Sequence, residues 1–181
     1  MDTFVTKNAN QTRKLGELLA KELQGGQVIC LTGELGSGKT TFTQGVLKGL
    51  GTKGPYTSPT FVVMKRYEVK SQKFSKVRPF PSPTSRGIPQ GQTLSNSSRP
   101  SFIQNIYHVD CYRVGPKDIF DLGWKEVIAD KKNIIIVEWA ERMKSIIPKK
   151  AVWISFRHRE KNERKITLRA KSEKLKYKSN N

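Results

Sequence analysis

Apolar residues in the first fifty positions follow two different patterns. Residues 10–23 carry leucines at three- and four-residue spacing, namely Leu15, Leu18, Leu19 and Leu23. This period predicts a helix with one buried face, ending at Gly25 and Gly26. The run VICL that follows is apolar without alternation, which is typical of a strand buried on both faces of a sheet. A second amphipathic helix is predicted to begin in the Gly-rich stretch beyond it and to end near Leu50.

The rest of the chain adds several strands and one helix. In chain order the pattern predicts a strand over 61–69, a strand over 105–112, a helix over 118–129, a strand over 133–139, and two alternating runs over 151–158 and 164–170. The last two are separated by a short charged turn, which predicts a C-terminal antiparallel hairpin. Strands alternating with helices indicate a single α/β domain over 1–181, with a mixed sheet flanked by helices.

Composition sets the segment 71–104 apart, because it is rich in Ser, Pro, Gly and Gln and poor in large apolar residues. Such a segment cannot bury enough apolar surface to offset the entropy of ordering it. We therefore expect a disordered basic insertion there, and a frayed basic tail over 172–181.

The formal net charge of +19 is unevenly distributed. Residues 65–104 carry eight Lys or Arg against one Glu, and residues 142–181 carry fourteen against three. The rest of the chain, residues 1–64 and 105–141, is nearly neutral. Two interpretations stay open: the basic segments neutralise nucleic-acid phosphates, or they are a solvated surface.

The remaining composition indicates a cytoplasmic, soluble chain. Cys30 and Cys111 each lie in an apolar, strand-like run rather than at metal-ligand or redox spacing, so both are predicted to be buried thiols in a reducing compartment. The N-terminus lacks the features of a signal peptide, and no apolar run approaches the ~20 residues of a membrane span.

The stretch GELGSGKT fits the phosphate-loop pattern G-x-x-x-x-G-K-[ST] at Gly33, Gly38, Lys39 and Thr40. It lies between a predicted buried strand and an amphipathic helix, as a functional phosphate loop does. Lys39 is expected to reach the β- and γ-phosphates of a nucleotide, and the Thr40 hydroxyl is expected to bind Mg²⁺. A cation in the first turn of a helix opposes the helix dipole, so Lys39 argues for a bound anion. The other loop residues expected at the nucleotide are Glu34, Leu35, Gly36, Ser37 and Thr41.

Two acids follow predicted strands, Asp110 after IYHV and Glu138 after NIIIV. On adjacent strands one would hold Mg²⁺ while the other orients or deprotonates the attacking water. The spacing does not divide these roles, and either acid alone fits a helix cap or an ion pair with Arg113. His108 would share a strand face with Asp110, so it lies at the site or is a hydrogen-bonded structural residue. Trp139 is interpreted as a packing residue at a strand end, with a position near the nucleotide as the alternative.

The loop TSPTF, residues 57–61, precedes a predicted strand, and Pro59 holds Ser58 extended. The hydroxyls of Ser58 and Thr60 are placed to approach a γ-phosphate as a switch element does. The alternative is a simple turn that enters the strand.

Taken in order, the motifs GELGSGKTT, TSPTF, YHVDCYR, LGWKE and IVEWAER resemble those of the TsaE family of bacterial P-loop ATPases. The resemblance covers nearly the whole chain except the insertion and the tail. It implies a P-loop NTPase-like fold that uses ATP and Mg²⁺. It also implies a function in forming threonylcarbamoyladenosine beside the tRNA anticodon, with ATP hydrolysis on the TsaD and TsaB pair supporting repeated turnover.

The resemblance also implies roles for individual residues. Lys39 and Thr40 match the family's phosphate-loop lysine and magnesium-binding hydroxyl, Glu138 its magnesium-coordinating acid, Asp110 its essential aspartate, Thr60 its switch threonine, and Asn8 a contact to the nucleotide base. The chain departs from the family in Glu34 and Ser37, where Asp and Ala are usual, and in the long insertion.

Two other functions fit the same loop. A small-molecule kinase would use the Arg-bearing insertion as a lid over the phosphates. A nucleotide-regulated RNA-binding module would contact tRNA directly through the basic segments.

Overall fold

The structure is a computed structural model that describes residues 2–69, 103–159 and 162–169. The elements in chain order are β1 Asp2–Thr6, α1 Ala9–Ala20, β2 Val28–Thr32, α2 Lys39–Gly49, β3 Met64–Glu68, β4 Asn105–Asp110, α3 Pro116–Asp121, α4 Trp124–Ala129, β5 Asn133–Glu138, a 3₁₀ turn Ala140–Met143, β6 Val152–His158 and β7 Arg164–Arg169. The predicted basic tail and nearly all of the predicted insertion lie outside the described residues. The last two residues of the predicted insertion, Ile103 and Gln104, are described, and Ile103 is buried in the core.

The described strands form one mixed sheet in the order β1-β7-β6-β2-β5-β4-β3. The four central strands, β6, β2, β5 and β4, are mutually parallel, while β3, β7 and β1 pair antiparallel at the two edges. The predicted mixed α/β fold and the predicted C-terminal hairpin are therefore confirmed. Because parallel strands end at the same edge, the residues that follow β2, β4 and β5 meet there.

Apolar side chains pack on both faces of the central strands. On one face α1 and α2 cover residues such as Leu31, Ile134 and Ile154. On the other, α3, α4 and the 3₁₀ turn cover residues such as Cys30 and Val137. Burial on two faces explains why VICL and NIIIV are continuous apolar runs.

Both cysteines are buried, as predicted. Burial raises the pKa of Cys30 and that of Cys111 to about 12, so both thiols stay protonated at neutral pH. In the described part of the chain no helix is long and apolar enough to cross a membrane.

Two predicted elements differ from the structure. The strand predicted over 61–69 begins only at Met64, because Val63 has a left-handed φ of 63° and Phe61 lies on a turn with 86% of its surface exposed. The helix predicted over 118–129 is two six-residue helices, separated where Gly123 has a φ of 80°. In each case one left-handed residue ends the regular hydrogen-bonding pattern.

Helices α1 and α2 approach each other closely through glycine. A Cβ added at Gly45 would overlap the backbone carbonyl oxygen of Arg13, and one added at Gly16 would overlap that of Phe42. The contact holds α2, which carries Lys39 and Thr40 in its first turn, against the rest of the fold.

Gly45→Ala is therefore expected to lower the free energy of unfolding by about 1–3 kcal/mol, as overpacking does in a well-packed interior. Denaturant or thermal unfolding measures this change. Gly115→Ala is the control, because a Cβ there has its nearest neighbour 3.7 Å away. An equal effect at both glycines would argue against the close helix contact.

Candidate nucleotide-binding site

The loop between β2 and α2 has a backbone that only glycine adopts readily. Gly33 has a φ of 131° and Gly38 a φ of 103°. A Cβ at Gly33 would also overlap the Phe156 carbonyl oxygen. Gly38 is the N-cap of α2 and supplies no side-chain cap. The backbone N–H groups of the first helical turn are thus left for an anion.

Lys39 is the first residue of α2 and is only 4% exposed. Its Nζ donates to the carbonyl oxygens of Gly33 at 2.7 Å and Glu34 at 2.8 Å, so the side chain folds back over the loop. Burial lowers the pKa of Lys39, an effect that nearby carboxylates, chiefly Glu138, oppose. A buried ammonium beside the N–H donors of a helix N-terminus is well placed to bind phosphate oxygens.

Glu138 ends β5 with a carboxylate that is almost fully buried, since the residue is 2% exposed. Its Oε2 accepts from Thr40 Oγ1 at 2.8 Å, and its Oε1 accepts from Thr43 Oγ1 at 3.4 Å. Oε1 also lies 2.7 Å from His108 Nε2. The sequence patterns did not indicate Thr43, which lies one helical turn after Thr40.

The residues present fit a magnesium ion. A hydroxyl and a carboxylate lie side by side beneath the phosphate loop, and both are hard oxygen ligands of the kind Mg²⁺ prefers. Among residues 2–69, 103–159 and 162–169, no cluster of three or more His, Cys, Asp or Glu could hold a metal by itself. Bound Mg²⁺ normally takes its other ligands from nucleotide phosphates and water, so a small protein contribution is what a nucleotide site requires.

Asp110 ends β4 directly opposite Glu138 in the parallel register. Its Oδ2 accepts from Thr60 Oγ1 at 2.6 Å and from Ser58 Oγ at 3.1 Å, and its Oδ1 accepts from the Tyr112 N–H at 3.0 Å. The TSPTF loop is therefore tied to Asp110 by its hydroxyls, rather than being only a turn that enters β3.

These groups line a cleft of about 350 Å³, within the size range of small-ligand sites. The predicted residues that line it are Leu35, Gly36, Gly38, Lys39, Thr40, Thr41, Thr60, Asp110 and Glu138. Ser58, Tyr112, Arg113 and Trp139 line it as well, and the sequence analysis had not assigned Tyr112 or Arg113 to it. Arg113 stacks over Phe61, 5.2 Å from its ring centroid, and makes no ion pair with Asp110 or Glu138 in the described residues.

The remaining predicted residues lie outside the lining of this cleft. Asn8 caps α1, with its Oδ1 accepting from the Gln11 N–H at 2.9 Å. Gly33 and Glu34 line a neighbouring cavity with Arg157. Ser37 is fully buried, and its hydroxyl has no hydrogen-bond partner in the described part of the chain. A nucleotide contact by Asn8 therefore stays a prediction.

Trp139 is not simply a packing residue. It has a left-handed φ of 59°, lines the cleft, and its ring centroid lies 3.8 Å from Lys39 Nζ and 4.9 Å from the Tyr112 ring. The strained backbone directly after Glu138 turns the indole into contact with the ammonium. A signal for this was present in the sequence, since Trp139 adjoins a candidate metal ligand.

ATP binding is expected to change the emission of Trp139, because Lys39 must exchange its contacts to the loop carbonyls and the indole for phosphate oxygens. Trp139→Phe should remove this fluorescence change. Trp153→Phe, a substitution on β6 outside the cleft, should retain it. A change of unaltered size in Trp139→Phe would show that the indole does not sense the site.

The sequence of this chain matches a family model and several named proteins. The family model described as "Threonylcarbamoyl adenosine biosynthesis protein TsaE" matches residues 6–80 and 81–166. A protein of Bacillus subtilis (strain 168), named tRNA threonylcarbamoyladenosine biosynthesis protein TsaE, is 30% identical over 165 residues, covering 91% of this chain and 83% of that protein. A protein of Treponema pallidum (strain Nichols) with the same name is 28% identical over 165 residues, covering 91% of this chain and 97% of that protein.

A solved structure shares the fold. The crystal structure of Bacillus subtilis YdiB superposes with a TM-score of 0.62 at 24% identity, covering 93% of this chain and 84% of that one. At this identity the likeness establishes the arrangement of strands and helices alone.

Proposed function

This chain belongs to the TsaE family, and from that premise we propose that it is the ATP-hydrolysing component of the machinery that forms threonylcarbamoyladenosine in tRNA. One observation carries the proposal. Asp110 and Glu138 lie opposite each other at the edge of the sheet. Glu138 accepts a hydrogen bond from Thr40 of the phosphate-loop motif, and Asp110 accepts one from Thr60. A metal-binding pair and a separate carboxylate across the same cleft are the parts that nucleotide hydrolysis requires.

We assign the two acids different roles, the ones that the family resemblance implies, because their hydrogen-bond partners differ. Thr40 and Glu138 would hold Mg²⁺, because their oxygens adjoin each other directly below the loop. When bound, the ion would neutralise charge on the β- and γ-phosphates. Lys39 would contact the same phosphates, and the loop N–H groups would bind them through the helix N-terminus.

Asp110 would then orient the attacking water. The water oxygen forms a bond to the γ-phosphorus, the bond from that phosphorus to the β–γ bridging oxygen breaks, and ADP and phosphate leave. Asp110 accepts a hydrogen bond from the water and takes up its proton or passes it to the phosphate. Thr60 and Ser58 donate hydrogen bonds to Asp110 Oδ2, so the attacking water would share Asp110 with the TSPTF loop.

The partners we propose are homologues of TsaD and TsaB, with hydrolysis supporting their repeated turnover. Direct contact of tRNA with the basic segments stays a prediction; residues 70–102 and 170–181 of those segments lie outside the described residues.

Reconstitution tests the function. The chain is added to TsaD and TsaB homologues from the same source, with tRNA, ATP and the threonylcarbamoyl donor, and modified nucleoside is counted per TsaD. Repeated turnover should require both the chain and hydrolysable ATP. Turnover that is independent of the chain, or transfer of the γ-phosphoryl group to an added small-molecule acceptor, would contradict the proposal and favour a kinase.

A further inference from the structure

His108 lies on β4 two residues before Asp110 and is 1% exposed. Its Nε2 is 2.7 Å from Glu138 Oε1, and both side chains are buried. It does not line the nucleotide cleft. Any function of His108 must therefore act through Glu138 and not by contact with the nucleotide.

The hydrogen bonds of Glu138 divide between its two oxygens. Oε2 faces Thr40 of the phosphate loop at 2.8 Å, whereas Oε1 faces His108 at 2.7 Å and Thr43 at the longer distance of 3.4 Å. The terminal torsion of a Glu side chain is broad and lacks strongly preferred angles. A donor on Oε1 is therefore what keeps the carboxylate plane from turning and Oε2 from leaving Thr40.

The second ring nitrogen of His108, Nδ1, also indicates that the side chain is placed for its contact with Glu138. Nδ1 is buried and has no hydrogen-bond partner among the described residues. The imidazole is thus placed for the contact at Nε2 alone, and a ring that carries a proton on Nε2 donates it to the carboxylate. An apolar residue would leave no unpaired nitrogen in this strand but would remove a donor from the buried carboxylate, so the contact with Glu138 is what explains a histidine here.

We propose that His108 is a positioning residue that donates its Nε2–H to Glu138 Oε1 and so directs Oε2 toward the Mg²⁺ of the bound nucleotide. The contact is of the kind made by outer residues that orient metal-binding carboxylates. This inference rests on the proposed function, because it assumes that Glu138 binds the metal.

The test uses His108→Leu, which removes the donor, and His108→Gln, whose terminal amide nitrogen lies at about the reach of Nε2. Mn²⁺ replaces Mg²⁺, and its affinity for the complex of the full chain with ADP is measured by electron paramagnetic resonance. His108→Leu should weaken Mn²⁺ binding about tenfold to a hundredfold, the usual loss when such a partner is removed. His108→Gln should restore most of it, and ADP affinity in EDTA should be the same in all three proteins.

Thermal unfolding of each protein separates folding from positioning. If His108→Leu does not fold, His108→Gln is compared with His108→Asn, whose amide is one carbon shorter and cannot reach Oε1. Weaker Mn²⁺ binding by His108→Asn than by His108→Gln supports the proposal. Equal Mn²⁺ affinities of His108→Leu and the unsubstituted chain, or of His108→Asn and His108→Gln, overturn it. Failure of the unsubstituted chain to bind Mn²⁺ with ADP would instead contradict the proposed function.

Discussion

Asp110→Asn should lower the rate of ATP hydrolysis by about a hundredfold or more while leaving the affinity for MgATP nearly unchanged. Asn has nearly the same shape, and its one amide oxygen can still accept from Thr60 and Ser58 at the cost of the bond from the Tyr112 N–H, but it has lost the charge and the basicity that orient and deprotonate water. Positioned acid–base groups contribute about 10² to 10⁴ in rate. Binding should survive because Asp110 lies across the cleft from the phosphate loop.

Steady-state phosphate release and equilibrium binding of a fluorescent ATP analogue measure the two effects separately. Asp121→Asn, an exposed acid on α3, is the matched control and should change neither. A loss of binding as large as the loss of hydrolysis would mean that Asp110 maintains the structure of the cleft.

Lys39→Ala is expected to abolish tight ATP binding. Hydrogen bonds to charged groups contribute about 1.5–3 kcal/mol each, which corresponds to roughly tenfold to more than a hundredfold in affinity. The loss should be large for ATP and ADP and small for AMP, because Lys39 is expected to contact the β- and γ-phosphates and not the α-phosphate.

Isothermal titration with the three nucleotides measures this gradient. Lys48→Ala is the control on the same helix, since Lys48 is exposed and pairs with Glu17 at 3.0 Å. An affinity loss of the same size for AMP as for ATP would show that the substitution disturbs the loop as a whole.

Local patterns were sufficient to predict the edge of the sheet where the site lies. The continuous apolar runs before Asp110 and Glu138 indicated strands buried on two faces, and such strands are parallel and end together. The phosphate loop followed from its spacing. These features depend on short stretches of sequence, so a single sequence contains them.

Contacts between distant elements could not be predicted in the same way. That Thr43 and His108 converge on Glu138 depends on the register between β4 and β5 and on the rotation of α2, neither of which periodicity specifies. The N-terminal strand β1 was missed because only Phe4 and Val5 are large and apolar in it, and it is stabilised by pairing with β7 at the other end of the chain. The contact between Thr40 and Glu138 likewise depends on how α2 packs against β5.

The central claim is that this chain transfers the γ-phosphoryl group of ATP to water at the site formed by Thr40, Asp110 and Glu138. The most direct measurement quantifies ADP and free phosphate from MgATP in the same reaction, with and without the TsaD and TsaB homologues. We predict equal amounts of ADP and phosphate. Their formation should be faster with the TsaD and TsaB homologues present and should be lost in Asp110→Asn. ADP formed in excess of free phosphate, or hydrolysis that persists in Asp110→Asn, would contradict it.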